Sequence, residues 1–314
     1  MITAPALVTE DRQVERASAE LARRIPGAAV KPFEPMARHT TFRIGGPADI
    51  YVQPLNLEQL GEVMRFGREM GLPARVVGNG SNLLVGDGGI RGIVIRLAPS
   101  FSEVEWLEDG AMAGGGARLG KLVKDSAAAG LSGLESMVGI PGTLGGALAM
   151  NAGTDTGCIG DLMVSATMLE GSGEMREWNE TQLAYKYRHS SIRAAKVIVL
   201  SARLRLRPVP PEEIRAKIMR LREKRASRQP LTAWSAGSAF KNPLAVAAGK
   251  VLHRAGAKGM RVGDAQVSAK HANFVVNRGG ATASDVKELL DKAHALALRR
   301  YGIDLELEIE MVGE

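Results

Sequence analysis

The sequence predicts a mixed fold of α-helices and β-strands divided into two or three domains, and three observations support this. First, 314 residues are more than a single hydrophobic core usually holds. Second, segments with a hydrophobic period of about 3.6 residues are interspersed with segments of period two. Third, two glycine-rich stretches, at residues 78–82 and 133–153, lie between these segments, and clustered glycines allow a ligand to approach the backbone closely.

The composition is that of an ordinary globular protein, with 45% hydrophobic and 24% charged residues. The net charge of +7 could indicate that the protein binds nucleic acid, but only 4% of residues are aromatic and no RNA-binding or zinc-finger pattern is present. A polyanionic small substrate explains the charge equally well. The charge alone leaves both kinds of partner open. Taken with the motifs described below, we expect a small-molecule substrate, no nucleic-acid partner and no obligate protein partner.

The single cysteine, Cys158, is consistent with a reducing compartment and excludes an internal disulfide framework and a cysteine-based zinc site. We expect Cys158 to be a small buried hydrophobic residue and no metal to be bound. The first residues lack a basic start followed by an apolar segment, and no uncharged apolar run approaches the length of a membrane span. These features predict a cytoplasmic protein that does not bind membranes.

The first half of the chain begins with a polar extension over residues 1–35 that contains a short helix at 14–25. Alternation predicts strands at 42–44 and 50–52. A helix over 57–70 begins at the N-cap Asn56 and ends before Gly71. Further predicted elements are strands at 74–77, 83–85 and 93–97, a hairpin at 104–113 and a helix at 119–127.

The second half contains a hairpin at 164–178 and a half-buried strand at 197–207. Three prolines at 208, 210 and 211 indicate a boundary. The helix that follows, Glu212 to Ser227, carries a local charge of +4 when counted through Arg228, which is typical of a solvated face but could also attract phosphates. The surest element is a helix over 284–300 that ends at Gly302.

The chain ends in a predicted strand over 304–311 that carries four carboxylates on one side. If poorly solvated, these groups disfavour one another's ionisation. Alternatively they protect an exposed edge. The four residues are Asp304, Glu306, Glu308 and Glu310.

The first glycine-rich turn, residues 78–82, lacks the third glycine of a dinucleotide fingerprint and is followed by a strand rather than a helix. It is either a nest of N–H groups for a phosphate or an ordinary tight hairpin. The stretch 133–153 contains six glycines and almost no charge. It is either a buried crossover or the binding segment of an anionic or planar cofactor.

Two polar clusters in the second half could carry chemistry. In residues 185–191, Arg188 could hold a carboxylate or phosphate through two parallel hydrogen bonds. In residues 235–243, Ser238 offers a hydroxyl in a turn and Lys241 adds a cation. The pattern G-x-S-x-G is absent there, so we do not expect serine hydrolase chemistry.

Taken together with the glycine loops, these clusters identify a resemblance that runs from about Thr40 to Gly313. The chain resembles the UDP-N-acetylenolpyruvoylglucosamine reductases, the MurB family, in its shorter type without the tyrosine-loop insertion. Seven motifs in the expected order carry this resemblance. They are TTFRIGGPA, GNGSNLLVGDGGIRG, GIPGTLGGALAMNAG, YRHSSIR, GSAFKNP, GDAQVSAKHANFVVN and LELEIEMVG.

The resemblance implies an α+β fold in which a two-lobed FAD-binding unit of the vanillyl-alcohol oxidase type is joined to a smaller α/β substrate domain. The implied divisions are an extension at 1–35, FAD-binding lobe 1 at 36–98, lobe 2 at 99–208 and the C-terminal domain at 209–314, whose last strand could return to the flavin.

The resemblance also implies non-covalent FAD, NADPH as co-substrate and a UDP-sugar as substrate. The implied catalytic residues are Arg188 to polarise the substrate carboxylate, Glu308 to assist it and Ser238 to donate a proton. Softer substrate contacts are Tyr187, Arg228, Lys241, Asn242 and Gln266. The cofactor-binding residues implied are Gly78, Asn79, Gly80, Ser81, Asn82, Gly139, Ile140, Pro141, Gly142, Thr143, Gly145, Gly146, Asn151 and Gly153.

Two departures from many relatives are Ala239 in place of an aromatic residue and Glu310 in place of an arginine. Two alternatives stay open. A flavin oxidase of the same fold would reoxidise rapidly in air and would usually carry a covalent flavin tether, for which Cys158 and His189 are available. A basic binding module without catalysis would use the 212–228 helix on nucleic acid, with salt-dependent binding.

Overall fold

The computed structural model describes residues 4–244 and 246–314, with side chains described from residue 11 onward. Two lobes, each built on one sheet, face each other across a cleft, and the C-terminal part of the chain forms a third unit. Within the described residues, no helix is long and apolar enough to cross a membrane.

Lobe 1 is a four-stranded sheet in the order β1-β2-β5-β3 with two helices. Its core buries Leu21 and Ile25 from the end of the first helix against Leu60 and Phe66 from the second. The side chain of Asn56 accepts a hydrogen bond from the Gln59 N–H, as its predicted capping role requires. The elements are α1 (Ala4–Arg24), β1 (Ala29–Pro35), β2 (Pro47–Gln53), α2 (Leu57–Glu69), β3 (Ala74–Val76), β4 (Leu83–Val85) and β5 (Ile90–Ile95).

The first 35 residues contribute to the sheet and core of lobe 1, whereas the sequence predicted a polar extension with one short helix. Helix α1 is longer than predicted, and β1 pairs antiparallel with β2. Pro32 and Pro35 argue against a strand, but β1 lies at the sheet edge, where a missing N–H is tolerated. Phe33, with φ +52°, interrupts the pairing between its neighbours. Residues 1–3 of the predicted extension lie outside the described part.

Lobe 2 is a five-stranded antiparallel sheet in the order β12-β11-β13-β7-β6. Both predicted hairpins and the long strand are present, and the predicted helix at 119–127 is α3. The elements are β6 (Val104–Leu107), β7 (Gly110–Gly114), α3 (Leu119–Ala128), β8 (Leu131–Ser132), α4 (Leu144–Met150), β9 (Gly153–Thr154), β10 (Gly157–Cys158), β11 (Met163–Leu169), β12 (Met175–Asn179), α5 (Glu180–Leu183), α6 (Ser191–Ala195), β13 (Ile198–Arg205) and β14 (Arg207–Pro208).

The third unit packs a long helix against a small antiparallel sheet in the order β15-β16-β17, and a shorter helix packs on the long one. Its long helix begins at the N-cap Thr282 in a capping box with Asp285 and ends at Gly302, as predicted. The remaining elements are α7 (Pro211–Arg228), α8 (Ala248–Ala255), β15 (Arg261–Val262), β16 (Ala265–Val267), β17 (Val275–Asn277), α9 (Ala283–Tyr301) and β18 (Glu310–Val312).

Helix α7 packs on lobe 2 although it follows the predicted boundary at Pro208. Ile214, Ile218 and Leu221 lie on or against the core of that lobe, where α7 contacts α3 and the turn at Leu134–Met137. The structure thus groups α7 with lobe 2, and the domain limits themselves stay predictions.

The strand predicted at 42–44 is wrong. Arg43 has φ +57°, so the chain turns there instead of extending. Phe42 and Ile44 are buried in the core of the third unit, and the Asn277 side-chain amide donates to the Phe42 carbonyl at 3.0 Å. This loop ties lobe 1 to the C-terminal unit.

The terminal strand is shorter than predicted, and its four carboxylates do not form one shared face. Only β18 is a strand, and it pairs in parallel with β4 of lobe 1. Each of the four carboxylates has its own basic partner. Asp304 pairs with His294, Glu306 with Lys241, Glu308 with Arg188, and Glu310 with Arg75 and Arg193.

Candidate active site

The cleft between the lobes has a volume of about 590 Å³, within the usual range for ligand sites. Lobe 1 lines it with Val76, Gly78 and Asn79, and lobe 2 with Thr143, Gly145 and Gly146 among others. The cations Lys31, Arg96 and Arg118 also line the cleft, and no carboxylate is among its described lining residues. The cleft therefore favours an elongated anionic ligand.

Lobe 1 contributes an aromatic and basic wall to this cleft. The His39 ring stacks on Tyr51 with ring centroids 4.3 Å apart, and its two nitrogens contact Glu34 at 3.0 Å and Arg96 at 3.2 Å. Burial lowers the pKa of His39, and the Glu34 carboxylate opposes this effect. The ring is therefore biased toward its neutral form.

The glycine-rich turn at 78–82 leaves little room for side chains. A Cβ on Gly78 would lie 2.5 Å from Thr143 Oγ1, and a Cβ on Gly80, where φ is +60°, would lie 2.2 Å from the His39 carbonyl oxygen. The Asn79 side-chain amide donates to the Pro141 carbonyl. The two predicted cofactor segments, 78–82 and 139–153, are thus in direct contact.

The second glycine stretch runs from the cleft to Arg188. Thr143 accepts from the Gly146 N–H as the N-cap of α4, and Gly142 lies near the Ser81 side chain. At the other end, Arg188 donates to the Asn151 carbonyl at 3.5 Å and to the Gly153 carbonyl at 3.0 Å. Gly139 and Ile140, which the resemblance also names, lie ahead of Gly142 in the same stretch.

Arg188 and Glu308, far apart in sequence, form an ion pair with Nε and Oε1 2.5 Å apart. The Arg188 and Glu308 side chains are 17% and 13% exposed, so the pair is largely shielded from water. Burial raises the pKa of Glu308, while Arg188 and Lys241 pull it down. Arg188 has φ +52°, a strained conformation that this position imposes on its backbone.

The serine turn lies beside this pair. The Glu308 N–H donates to the carbonyl of Ala239 at 2.8 Å, and Ser238 forms a bridge with Phe274. Buried Asn273 fixes the turn because its side chain bonds both the N–H and the carbonyl of Phe240. Sequence reasoning missed Asn273, although it lies within the motif GDAQVSAKHANFVVN.

The predicted substrate residues divide into two groups. Tyr187 accepts a hydrogen bond from the Asn242 N–H at 3.2 Å, which joins lobe 2 to the C-terminal unit, and Lys241 pairs with Glu306. Arg228 is the last residue of α7 and is exposed. The pKa of the nearby Asp155 is lowered by Lys224 and, more weakly, by Arg228. Gln266 lies on β16, and its described side-chain bond goes to Gly259 rather than to Arg188 or Glu308.

Arg225 is a second residue that sequence reasoning missed. Its guanidinium donates to the Val138 carbonyl at 2.8 Å and packs against Gly139, and its buried Nε has no partner among the described residues. Burial lowers its pKa. The available signal was the spacing of Ile214, Ile218, Leu221 and Arg225, which places Arg225 on the buried face of α7.

Known proteins match the chain over nearly its whole length. A family model of the UDP-N-acetylenolpyruvoylglucosamine reductase C-terminal domain matches residues 229–312, and one of an FAD binding domain matches residues 48–179. A UDP-N-acetylenolpyruvoylglucosamine reductase of Agathobacter rectalis is 45% identical over 302 residues, covering 92% of this chain and 96% of the relative. One of Moorella thermoacetica is 46% identical over 286 residues, covering 90% and 92%.

The chain belongs to the UDP-N-acetylenolpyruvoylglucosamine reductase family. A crystal structure of a family member from Thermus caldophilus aligns with a TM-score of 0.80 at 37% identity, covering 91% of this chain and all of that one. The predicted α+β fold, with a two-lobed FAD-binding unit and a C-terminal domain, is confirmed.

The residues of the cleft fit FAD, the cofactor of this family's binding domain. Gly78, Gly145 and Gly146 line the cleft with main-chain atoms alone, and a Cβ on Gly145 would lie 3.1 Å from the Gly115 carbonyl oxygen. Three lining cations match a pyrophosphate. The described residues at 78–79 and 143–146 would hold it mainly through main-chain groups.

Neither candidate tether residue lines the described part of this cleft. Cys158 lines a separate groove of about 740 Å³ on lobe 2, together with Tyr185 and Arg188. Cys158 is half-buried rather than buried as predicted, and its N–H donates to the Asp161 side chain at 2.8 Å. This placement favours non-covalent binding of the flavin.

Proposed function

We propose that this chain reduces the enolpyruvyl ether of UDP-N-acetylglucosamine enolpyruvate to UDP-N-acetylmuramate, with NADPH as the electron donor. This is an oxidoreductase step of peptidoglycan precursor synthesis, needed for the cell wall and so for cell shape and division, and we place it in the cytoplasm. Bound FAD supplies hydride-transfer chemistry. The observation that carries the proposal is the shielded Arg188–Glu308 pair between the flavin cleft and the C-terminal unit.

The proposed role of Arg188 is to bind the substrate carboxylate. Three of its N–H groups are used by Glu308, Asn151 and Gly153, and a guanidinium has five, so two are left for an anion. Reduction places negative charge on the carbon next to this carboxylate. The Arg188 charge would stabilise the substrate as that charge develops.

Glu308 holds the guanidinium in this orientation through its contact with Nε. Because the Glu308 carboxylate is largely buried beside Arg188, it provides a negative charge at a fixed position next to the guanidinium. We propose that Glu308 assists Arg188 in this way and does not itself bind the substrate carboxylate, because two carboxylates would repel.

Ser238 is proposed as the proton donor to the reduced substrate. A serine hydroxyl is a poor acid, so it needs cations nearby and little water. Ser238 is half-buried, its neighbour Ala239 accepts a hydrogen bond from the N–H of Glu308, the partner of Arg188, and Lys241 lies three residues after Ser238. Tyr187, Arg228, Lys241, Asn242 and Gln266 are proposed to bind the UDP-sugar, with the basic residues at its diphosphate.

The test is to reduce the protein-bound flavin anaerobically with NADPH and then add the enolpyruvyl UDP-sugar. We expect NADPH to bleach the visible absorption and the substrate to restore it. If the substrate does not restore it and air does so rapidly, the protein is a flavin oxidase. If the protein carries no chromophore and binds DNA, the basic binding module is correct.

The variant Ser238→Ala separates the two half-reactions. We expect reduction by NADPH at the wild-type rate and reoxidation by the UDP-sugar slowed by about 10²-fold or more, the usual contribution of a positioned proton donor. Ser235→Ala is the matched control. Ser235 accepts a hydrogen bond from Thr41 Oγ1 through its backbone carbonyl, which the substitution retains. Equal slowing of both half-reactions would argue against Ser238 as the donor.

A further inference from the structure

Glu310 connects three parts of the molecule through one carboxylate. Its Oε1 lies 3.0 Å from Arg75 Nη1 on β3 of lobe 1, and its Oε2 lies 3.2 Å from Arg193 Nη2 on α6 of lobe 2. Glu310 itself begins β18, which arrives from the C-terminal unit. The two guanidinium groups therefore bond to different oxygens of the same side chain.

The two arginines mark opposite walls of the cleft. Val76, next to Arg75, lines the cleft from lobe 1, and Ile192, next to Arg193, lines it from lobe 2. The ion pairs of Glu310 thus cross from one wall to the other immediately beside the lining residues.

The backbone of Glu310 is held in place independently of the arginines. Its backbone N–H donates to the Asn82 carbonyl at 2.9 Å, and β18 pairs in parallel with β4. The Glu310 side chain is 22% exposed, whereas those of Arg75 and Arg193 are 48% and 45% exposed. A less exposed anion placed between two more exposed cations is suited to setting the distance between the walls.

We propose that Glu310 is a positioning residue that holds the two walls of the cleft at the spacing that FAD requires, and that it acts through its charge. A cleft already held in its binding geometry binds more tightly than one that must be ordered on binding. Without the carboxylate, two guanidinium groups that now share one anion would face each other and repel. The inference rests on the proposed function only in that FAD occupies this cleft.

The experiment measures the release of FAD from the full-length holoprotein on dilution, followed by flavin fluorescence. At low salt we expect Glu310→Gln to raise the FAD dissociation constant about fivefold, the combined effect of two partly exposed ion pairs. Because salt screens both the attraction in the wild type and the repulsion in the variant, the difference should shrink as NaCl rises to about 0.5 M.

The double variant Arg75→Gln/Glu310→Gln removes the repulsion together with the anion. We expect it to bind FAD more tightly than Glu310→Gln alone, which the loss of packing would not produce. Asp304→Asn is the matched control, because this ion pair with His294 joins two parts of the C-terminal unit and does not cross the cleft. Its FAD affinity should equal that of the wild type.

Wild-type affinity in Glu310→Gln at low salt would overturn the inference. A loss of affinity that is independent of salt, or that is not relieved in the double variant, would also overturn it, since either result indicates packing instead of charge. The assay needs no UDP-sugar. A protein that binds FAD but fails to reduce the proposed substrate would refute the proposed function without affecting this measurement.

Discussion

Replacing Arg188 with lysine tests the candidate site most directly, because it keeps the charge and removes the geometry. Arg188 donates to Glu308, Asn151 and Gly153 from three nitrogens, whereas a lysine has one. The backbone conformation, φ +52°, is retained because both residues carry a Cβ. The variant should therefore fold, with a cation that cannot hold both Glu308 and a substrate carboxylate.

The magnitude follows from the bonds that lysine cannot make. A hydrogen bond to a charged group contributes about 1.5–3 kcal/mol, so losing one in the reacting complex costs about 2 kcal/mol. That corresponds to a rate about 30-fold lower. The loss should fall on reoxidation of the flavin by the UDP-sugar, with reduction by NADPH unchanged.

The assay is anaerobic stopped-flow absorbance, which follows each half-reaction separately. Arg176→Lys is the control, because Arg176 pairs on the surface of lobe 2 with Glu170 and Glu174. Wild-type reoxidation by Arg188→Lys would refute the assignment of carboxylate binding to the guanidinium. Equal slowing of both half-reactions would show that Arg188 acts on the flavin cleft as a whole.

Two further predictions concern the cofactor and pH. Gly78→Ala should weaken FAD binding at least about tenfold in a flavin fluorescence titration, because its Cβ would lie 2.5 Å from Thr143 Oγ1 at the cleft wall. Gly61→Ala is the control and should bind FAD as the wild type does, because no atom lies within 4 Å of the added Cβ. Burial, followed by the charge of nearby Lys258, lowers the pKa of His271 in the folded protein. As the pH falls below about 6.5, the imidazole of the unfolded chain is therefore protonated before that of the folded protein, and the free energy of unfolding decreases. His271→Gln should flatten the decline in melting temperature between about pH 7.5 and 5.5, and an unchanged decline would contradict this.

The parts of the fold predicted from sequence are those whose pattern is local. Helix α9 carries a continuous apolar face between the cap Thr282 and Gly302, and the hairpin of β11 and β12 has its glycines at the turn. The parts predicted wrongly have patterns set by distant partners. Residues 304–309 alternate because their carboxylates meet basic groups on different elements, not because they lie in a sheet.

The candidate site shows the same division. The glycine loops signalled a backbone-bound ligand, and the resemblance named Arg188, Ser238 and Glu308 as reacting groups. Sequence reasoning did not reveal that Glu308 pairs with Arg188, since those residues meet only when β18 joins β4. The sequence did not reveal that Arg225 contacts Val138 beside the glycine stretch, because α7 contains six other lysines and arginines from which Arg225 does not stand out.

The pairing of β18 with β4 has a consequence for the order of events during synthesis. β4 lies in the first third of the chain, and its partner β18 is synthesised only after nearly all the other described elements. Domains near the start of a chain generally fold first, and contacts this distant in sequence form slowly. Both lobes can thus assemble on the ribosome, while Glu308 reaches Arg188 only in a late step. A partly synthesised chain would then lack both the Arg188–Glu308 pair and the Glu310 ion pairs between the cleft walls.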